Sequence, residues 1–220
     1  MGRVTKSAAT RPASARATKL ATRKSRAIQA EAPVGRTPRL ARAGASAKRM
    51  RSRPAHAAAT TRPARCAVLT VSDTRKRAND PGGDSVQSRI ERAGHRVVLR
   101  AWSRDDVRSI RAAARAALAD SRIDALVVTG GTGPAPRDVT PEALAPLIAR
   151  AFAGFGELFR ALSYAEIGSA AWLSRAGAGV ARGRLVFWLP GSPPGARLAL
   201  DLLILPELGH ALRLLGRIPH

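Results

Sequence analysis

One segment gathers most of the groups that could do chemistry: Thr129-Gly130-Gly131-Thr132-Gly133-Pro134-Ala135-Pro136-Arg137-Asp138-Val139-Thr140-Pro141-Glu142-Ala143. Gly130, Gly131 and Gly133 lack a Cβ, so the backbone there can approach a phosphate or a flat ring closely. Thr129 and Thr132 add hydroxyls. Arg137 carries a planar fork that matches a phosphate. Asp138 could hold a divalent cation such as Mg²⁺ beside nucleotide phosphates. Thr140 is placed to cap a helix whose first residue is Pro141. Taken alone, Gly-Gly-Thr-Gly is only a glycine turn before a capped helix. It is neither a Walker loop nor a dinucleotide fingerprint.

Other chemistries find less support. The four histidines, His56, His95, His210 and His220, are scattered, and no zinc-ligand spacing occurs. The single cysteine, Cys66, opens an apolar run and cannot form an internal disulfide. A nucleophilic Cys–His pair is therefore not expected. A chain with one cysteine fits a reducing, cytoplasmic compartment. Asp105 by itself reads as a helix cap, and Asp106 as a surface acid.

The elements that would position these residues alternate. Cys66 to Val71 predicts a buried strand running into the polar loop Ser72-Asp73-Thr74. Asn79-Asp80-Pro81-Gly82-Gly83 predicts a turn, and Asp84 to Ala93 a helix with Val86, Ile90 and Ala93 inward and Gly94 as its stop. Arg96 to Ala101 predicts a second strand. Asp105 or Asp106 then caps a helix that buries Val107, Ile110, Ala114, Ala117 and Leu118. Asp124 to Val128 predicts a third strand, which ends at the glycine-rich segment. Such alternation implies an α/β fold with parallel strands and right-handed crossovers. Ligands in such sheets sit beyond the carboxyl ends of the strands, where Asp73, Asp105 and the glycine loop all fall.

The chain has 220 residues and a formal net charge of +23. Of its 38 Lys and Arg side chains, 17 lie in residues 1–65 beside one acid, Glu31. That segment is rich in Ala, Arg, Ser, Thr and Pro and has no aromatic residue, so it is expected to be a disordered tail. It is a candidate for non-specific polyanion contact, an organelle transit peptide or an incidental extension. Residues 66–220 are expected to form one domain. No apolar run is long enough to span a membrane. The Leu202 to Pro206 stretch with Leu208, Leu212 and Leu215 reads as helical core or an oligomer face.

The fifteen-residue string resembles the signature of the molybdopterin-binding domain family. So do Thr70-Val71-Ser72-Asp73-Thr74 and Gly154-Phe155-Gly156-Glu157-Leu158-Phe159-Arg160. Leu162-Ser163-Tyr164, Glu166 to Ala170, Leu173-Ser174-Arg175-Ala176 and Leu189-Pro190-Gly191-Ser192-Pro193 agree as well. The likeness covers roughly residues 66–215. Its middle segment lies nearest the branch of cofactor-biosynthesis proteins designated B.

The resemblance implies a three-layer α/β/α sandwich with a mostly parallel sheet, assembled as a homotrimer or hexamer. Adenylyltransferase members bind molybdopterin and Mg²⁺-ATP, transfer AMP to the pterin's terminal phosphate, and pass the product to other molybdenum cofactor biosynthesis proteins. Their key acids match Asp105 and Asp138, which would share the Mg²⁺. Gly130, Gly131, Thr132, Gly133, Ser163 and Ser174 match molybdopterin-binding positions. Ser72, Asp73, Gly191 and Ser192 match the nucleotide side. Arg160 and Arg175 are expected to be solvated or intersubunit charges. Phe152, Phe155 and Phe159 are expected in the core or at a trimer contact. Adenylyltransferase-type members tend to carry Asn two residues before the Pro-Gly of the last loop, where this chain has Trp188. That departure keeps a second expectation open: a non-catalytic molybdopterin-binding or carrier protein of the same pathway.

Overall fold

The computed structural model describes residues 62–75 and 78–219. The expectations for the tail over residues 1–61 lie outside the described residues. The elements run β1 (Arg65–Val71), α1 (Pro81–Arg92), β2 (Arg96–Ser103), α2 (Val107–Ala119), β3 (Ala125–Thr129), α3 (Thr140–Leu144), β4 (Arg150–Ala151), α4 (Ala153–Ile167), β5 (Gly177–Ala181), β6 (Arg184–Leu189), α5 (Pro193–Ala199) and α6 (Leu208–Leu214). Short 3₁₀ segments follow α3 and α4, and a π-helical turn at Leu200–Ile204 follows α5.

Six strands form one sheet in the order β2-β1-β3-β6-β5-β4. β1, β2, β3 and β6 are parallel, with Val68 beside Arg100 and Val127, and Val127 beside Phe187. Alternation of side chains along β1 feeds two cores. Cys66 and Val68 pack with Val86, Ile90, Phe159 and Leu208, on the face covered by α1, α4, α5 and α6. Ala67, Leu69 and Val71 pack with Ile110, Leu118 and Leu144, on the face covered by α2 and α3. Helices on both faces make the three layers that the resemblance implies. The cause is that β1 and β3 are apolar at nearly every position, so neither sheet face can be left in water.

The sheet is mostly parallel, as the resemblance implies, and its antiparallel part is the β5–β6 hairpin with β4 paired to β5. Three local expectations are corrected. α1 begins at Pro81 rather than Asp84: Asp80 accepts from Gly83 N at 2.9 Å, so the turn-like residues 79–83 are a cap and first turn. Asp106, not Asp105, caps α2 by accepting from Ser109 N at 2.8 Å. Thr140 does not cap α3 with its side chain; it is the first helical residue, and its Oγ1 donates to Gly130 O at 2.8 Å.

The fold also starts before residue 66. Ala64 is buried, and Arg62 forks onto Asp124 with Nη1 and Nη2 at 2.7 and 3.0 Å. Among the described residues no helix is long and apolar enough to cross a membrane.

Candidate functional site

Strand order reverses between β1 and β3, because the chain crosses from β2 on one side of β1 to β3 on the other. A cleft of about 790 Å³ opens at this reversal, beyond the carboxyl ends of the parallel strands. Ser72 and Asp73 reach it from the end of β1, and Asp105 from the end of β2. Gly130, Gly131, Thr132, Gly133 and Asp138 reach it after β3, and Gly191 and Ser192 after β6. Ser163 of α4 and Ser174 line it as well. Every site residue singled out in the sequence therefore lines one cavity.

The glycines hold the loop where side chains cannot go. Gly130 sits at φ +109° and Gly131 at φ +64°. A Cβ on Gly130 would stand 2.2 Å from Val71 O, and one on Gly131 would stand 2.7 Å from Asp105 Oδ1. Backbone and carboxylate thus occupy the space that a side chain would need. Thr140 N donates to Gly131 O at 3.0 Å, tying the start of α3 to the loop.

Release of Asp105 from capping has an electrostatic consequence. Its Oδ1 is buried and makes no hydrogen bond. Asp73 Oδ1 accepts from the Asp105 backbone N–H at 3.0 Å, which draws the two acids together. Burial, with Asp138 and Asp73 adding like charge, raises the Asp105 carboxyl above its ordinary value; the Val139 backbone and Arg137 oppose this in part. Asp138 is held differently, by a bond from Ala135 N to its Oδ2 at 3.1 Å. Ser163 Oγ is the second buried, unpartnered side-chain atom on the cleft wall. An acceptor and a hydroxyl left without partners in one cavity are groups that a polar ligand would satisfy.

The expectation of a solvated or intersubunit charge fails for Arg175. Its Nε donates to Gly133 O at 3.0 Å, and its Nη atoms hold Asp138 O and the Glu142 carboxylate. Its backbone N donates to Thr132 O at 2.9 Å. The residue latches the glycine loop, the Asp138 turn and α3 to the segment before β5. Arg160 also bonds inward, to Ser174 O at 3.3 Å. Trp188 does not line the cleft: its Nε1 donates to Arg175 O at 2.9 Å, and its ring lies over Gly177. The Asn-to-Trp departure thus bears on the latch. Arg175→Met is expected to lower stability by about 2–3 kcal/mol, since it strands loop carbonyls that a charged donor now satisfies. A urea midpoint equal to that of the wild type would show that the latch is dispensable.

Asp80 was read as turn chemistry, yet it organises the wall behind Ser72. Its fully buried carboxylate accepts from Thr70 Oγ1 at 2.6 Å, Arg100 Nη2 at 2.8 Å and Trp102 Nε1 at 3.1 Å. Burial pushes its carboxyl upward, but these bonds and the Gly83 N–H outweigh that and hold it below the usual range. Nothing in the local sequence separates Asp80 from an ordinary cap, because Arg100 lies 20 residues away. Of the aromatic cluster, Phe159 is core and touches the cleft, Phe155 packs on Phe187 with ring centroids 5.7 Å apart, and Phe152 is partly exposed. Cys66 is buried with its thiol pushed up to about 12, by burial and by the Asp124 charge, so it is no nucleophile.

Comparison with known proteins places this geometry. A family described as "Probable molybdopterin binding domain" matches residues 67–210. Molybdenum cofactor biosynthesis protein B of Bacillus subtilis (strain 168) is 46% identical over 150 residues, covering 68% of this chain and 88% of that protein. A crystal structure of a molybdenum cofactor biosynthesis protein B superposes with a TM-score of 0.69 at 43% identity, over 71% of this chain and 98% of the other. The tungsten cofactor synthesizing protein MoaB from Pyrococcus furiosus superposes at 0.63 with 34% identity, over 70% and 98%.

Proposed function

Because the chain belongs to the molybdopterin-binding domain family, we propose that this molybdenum cofactor biosynthesis protein binds molybdopterin in the switch-point cleft and transfers AMP from ATP to the pterin's terminal phosphate. The observation that carries this reading is the buried, unpartnered Asp105 Oδ1 between two other acids and a loop of glycines. A partly desolvated carboxylate with one oxygen left unpaired is completed by a cation, and its site must then meet anionic groups.

The donor set fits Mg²⁺. Asp105 and Asp138 offer oxygen alone, and among the described residues no three His, Cys, Asp or Glu side chains converge to cage a metal. A cation held by one or two carboxylates takes its remaining ligands from water and phosphates. Such an ion neutralises charge on the phosphates that meet during transfer. Asp105 and Asp138 would hold it. Gly130 to Gly133 allow the pterin and its phosphate close to the backbone, with Thr132, Ser163 and Ser174 presenting hydroxyls. Ser72, Asp73, Gly191 and Ser192 line the nucleotide side. A terminal phosphate oxygen of the pterin attacks the α-phosphorus of ATP. The new P–O bond forms as the bond to the bridging oxygen breaks, and pyrophosphate leaves with that electron pair. The chain's part is orientation and charge placement, with no covalent intermediate. Asp138→Asn is expected to stop the transfer while leaving the fold intact; unchanged turnover would remove Asp138 from the mechanism.

Trp188 favours one second reading, a pterin carrier of the same pathway, because an indole cannot offer an amide's paired donor and acceptor. Tight pterin binding without product would support it. Leu158, Tyr164, Ile167 and Trp172 expose large apolar side chains on α4 and the turn after it, Trp172 at 73%. Assembly as a homotrimer or hexamer would cover this face. Trp172→Asp should then yield smaller species in analytical ultracentrifugation, and an unchanged sedimentation profile would clear this face of the role. The adenylylated product would pass to other proteins of the pathway in the cytoplasm.

A further inference from the structure

Arginine keeps its charge at any physiological pH, so one that is half-buried needs a counter-charge or a strong acceptor. The half-buried Arg62, Arg65, Arg89, Arg100, Arg175 and Arg217 each hold a carboxylate. The half-buried Arg111, Arg160 and Arg184 donate to backbone carbonyls. Arg75 does neither. It is half-buried and lines the cleft, and among the described residues its guanidinium makes neither a hydrogen bond nor an ion pair. Only its backbone N–H is engaged, donating to Ser72 Oγ at 3.2 Å. Asp80, whose Oδ1 also lies near Gly82, is already bonded through its carboxylate to Arg100, Thr70 and Trp102.

Its placement is equally specific. A Cβ on Gly82 would stand 2.9 Å from Arg75 Nη1 and 3.3 Å from Gly191 O. The guanidinium therefore lies against the bare backbone of the first turn of α1, where the loop after β1 meets the loop after β6. Both loops line the same cleft as Ser163 and Ser174. ATP brings about four negative charges, and one divalent cation offsets only two of them. The acids Asp73, Asp105 and Asp138 add more negative charge to the same cavity. A cation other than the metal has to meet the phosphates that face away from it.

We propose that Arg75, seated on Gly82 beside Gly191, is the polyphosphate-binding residue of this cleft and grips the part of the nucleotide that leaves as pyrophosphate. This rests on the nucleotide reading above and assigns its phosphate end. The planar fork bonds two oxygens of one phosphate, so lysine replaces only its charge.

The test uses the full chain with Mg²⁺ present. Calorimetry measures inorganic pyrophosphate, ATP and AMP, and fluorescence measures molybdopterin. Arg75→Met is expected to weaken pyrophosphate and ATP binding about tenfold or more, the loss of one charge-assisted contact. AMP and molybdopterin binding should stay within about twofold of wild type, and Arg75→Lys should recover part of the loss. Unchanged pyrophosphate and ATP affinities in Arg75→Met overturn the assignment. So does a fall in molybdopterin affinity alone, which would give the guanidinium to the pterin's phosphate. A wild-type protein that takes neither ATP nor pyrophosphate also overturns it. Arg75-dependent pyrophosphate binding without any AMP transfer leaves the subsite standing and removes the transferase reading instead.

Discussion

Asp105→Asn should reduce AMP transfer by about a thousandfold or more, the effect of losing several kcal/mol of charge stabilisation at a metal-assisted phosphoryl centre. The same substitution should not destabilise the fold. The Asp105 carboxyl is raised above its unfolded value by burial and by Asp138 and Asp73. In the window between those two values the folded chain binds the extra proton. The resulting stability is complete below the unfolded value and is lost as pH rises through the folded one. Once ionised, the carboxylate is therefore a cost to folding, and an uncharged amide relieves it. The expected pair of results is a dead enzyme with a thermal midpoint equal to or above that of the wild type. A midpoint well below the wild type would mean that Asp105 is structural. Metal loading should also weaken on acidification at a higher pH than an ordinary carboxylate would give, since the proton and the cation compete for one group. A titration of Mg²⁺ affinity against pH measures that directly.

The largest effect on stability is expected on the opposite rim, at Asp124. Its carboxylate is fully buried and is met by Arg62 at 2.7 Å, Arg217 at 3.2 Å and the Arg65 backbone N–H at 2.9 Å. Burial pushes the group up, but the Arg62 hydrogen bonds, the Arg65 N–H and the neighbouring charges prevail and hold it below its ordinary value. The stability it contributes is present above the unfolded value and is lost as pH falls through the folded one. Asp124→Ala would leave the guanidiniums of Arg62, Arg217 and Arg65, the last with its Nε 3.6 Å from the carboxylate, facing each other around a void. Breaking a buried pair costs about 3–5 kcal/mol; these arginines retain some water, so about 3 kcal/mol is expected. A guanidinium chloride midpoint within error of the wild type would contradict this. Truncation after residue 62 should reproduce part of the loss, because Arg62 carries the bidentate contact.

The sequence displays its central strands because apolar runs such as Ala125 to Val128 are contiguous. It hides the hairpin. Gly177-Ala178-Gly179-Val180-Ala181 carries little strand signal, yet Gly177 must be bare for the Trp188 ring to lie over it. α1 was foreshortened because Asn79 to Gly83 satisfies turn chemistry and cap chemistry equally, and only tertiary partners for Asp80 decide between them. At the site, Asp105, Asp138 and the glycine loop stand in short motifs, and they meet in one cavity. Arg175 and Arg75 escaped because their meaning depends on residues far along the chain. Gly133 is 42 positions from Arg175, and Gly191 lies on the other side of the sheet's reversal from Arg75. A positive residue in a chain of net charge +23 attracts no notice until its partners, or the want of them, are visible.

The most direct measurement is a single turnover. The full chain in excess is mixed with molybdopterin, ATP and Mg²⁺, and adenylylated molybdopterin and pyrophosphate are quantified together. Equal amounts of the two products, formed by the wild type and absent with Asp105→Asn and Asp138→Asn, are the expected result. Saturable molybdopterin binding with neither product would contradict the transferase and leave a carrier in its place.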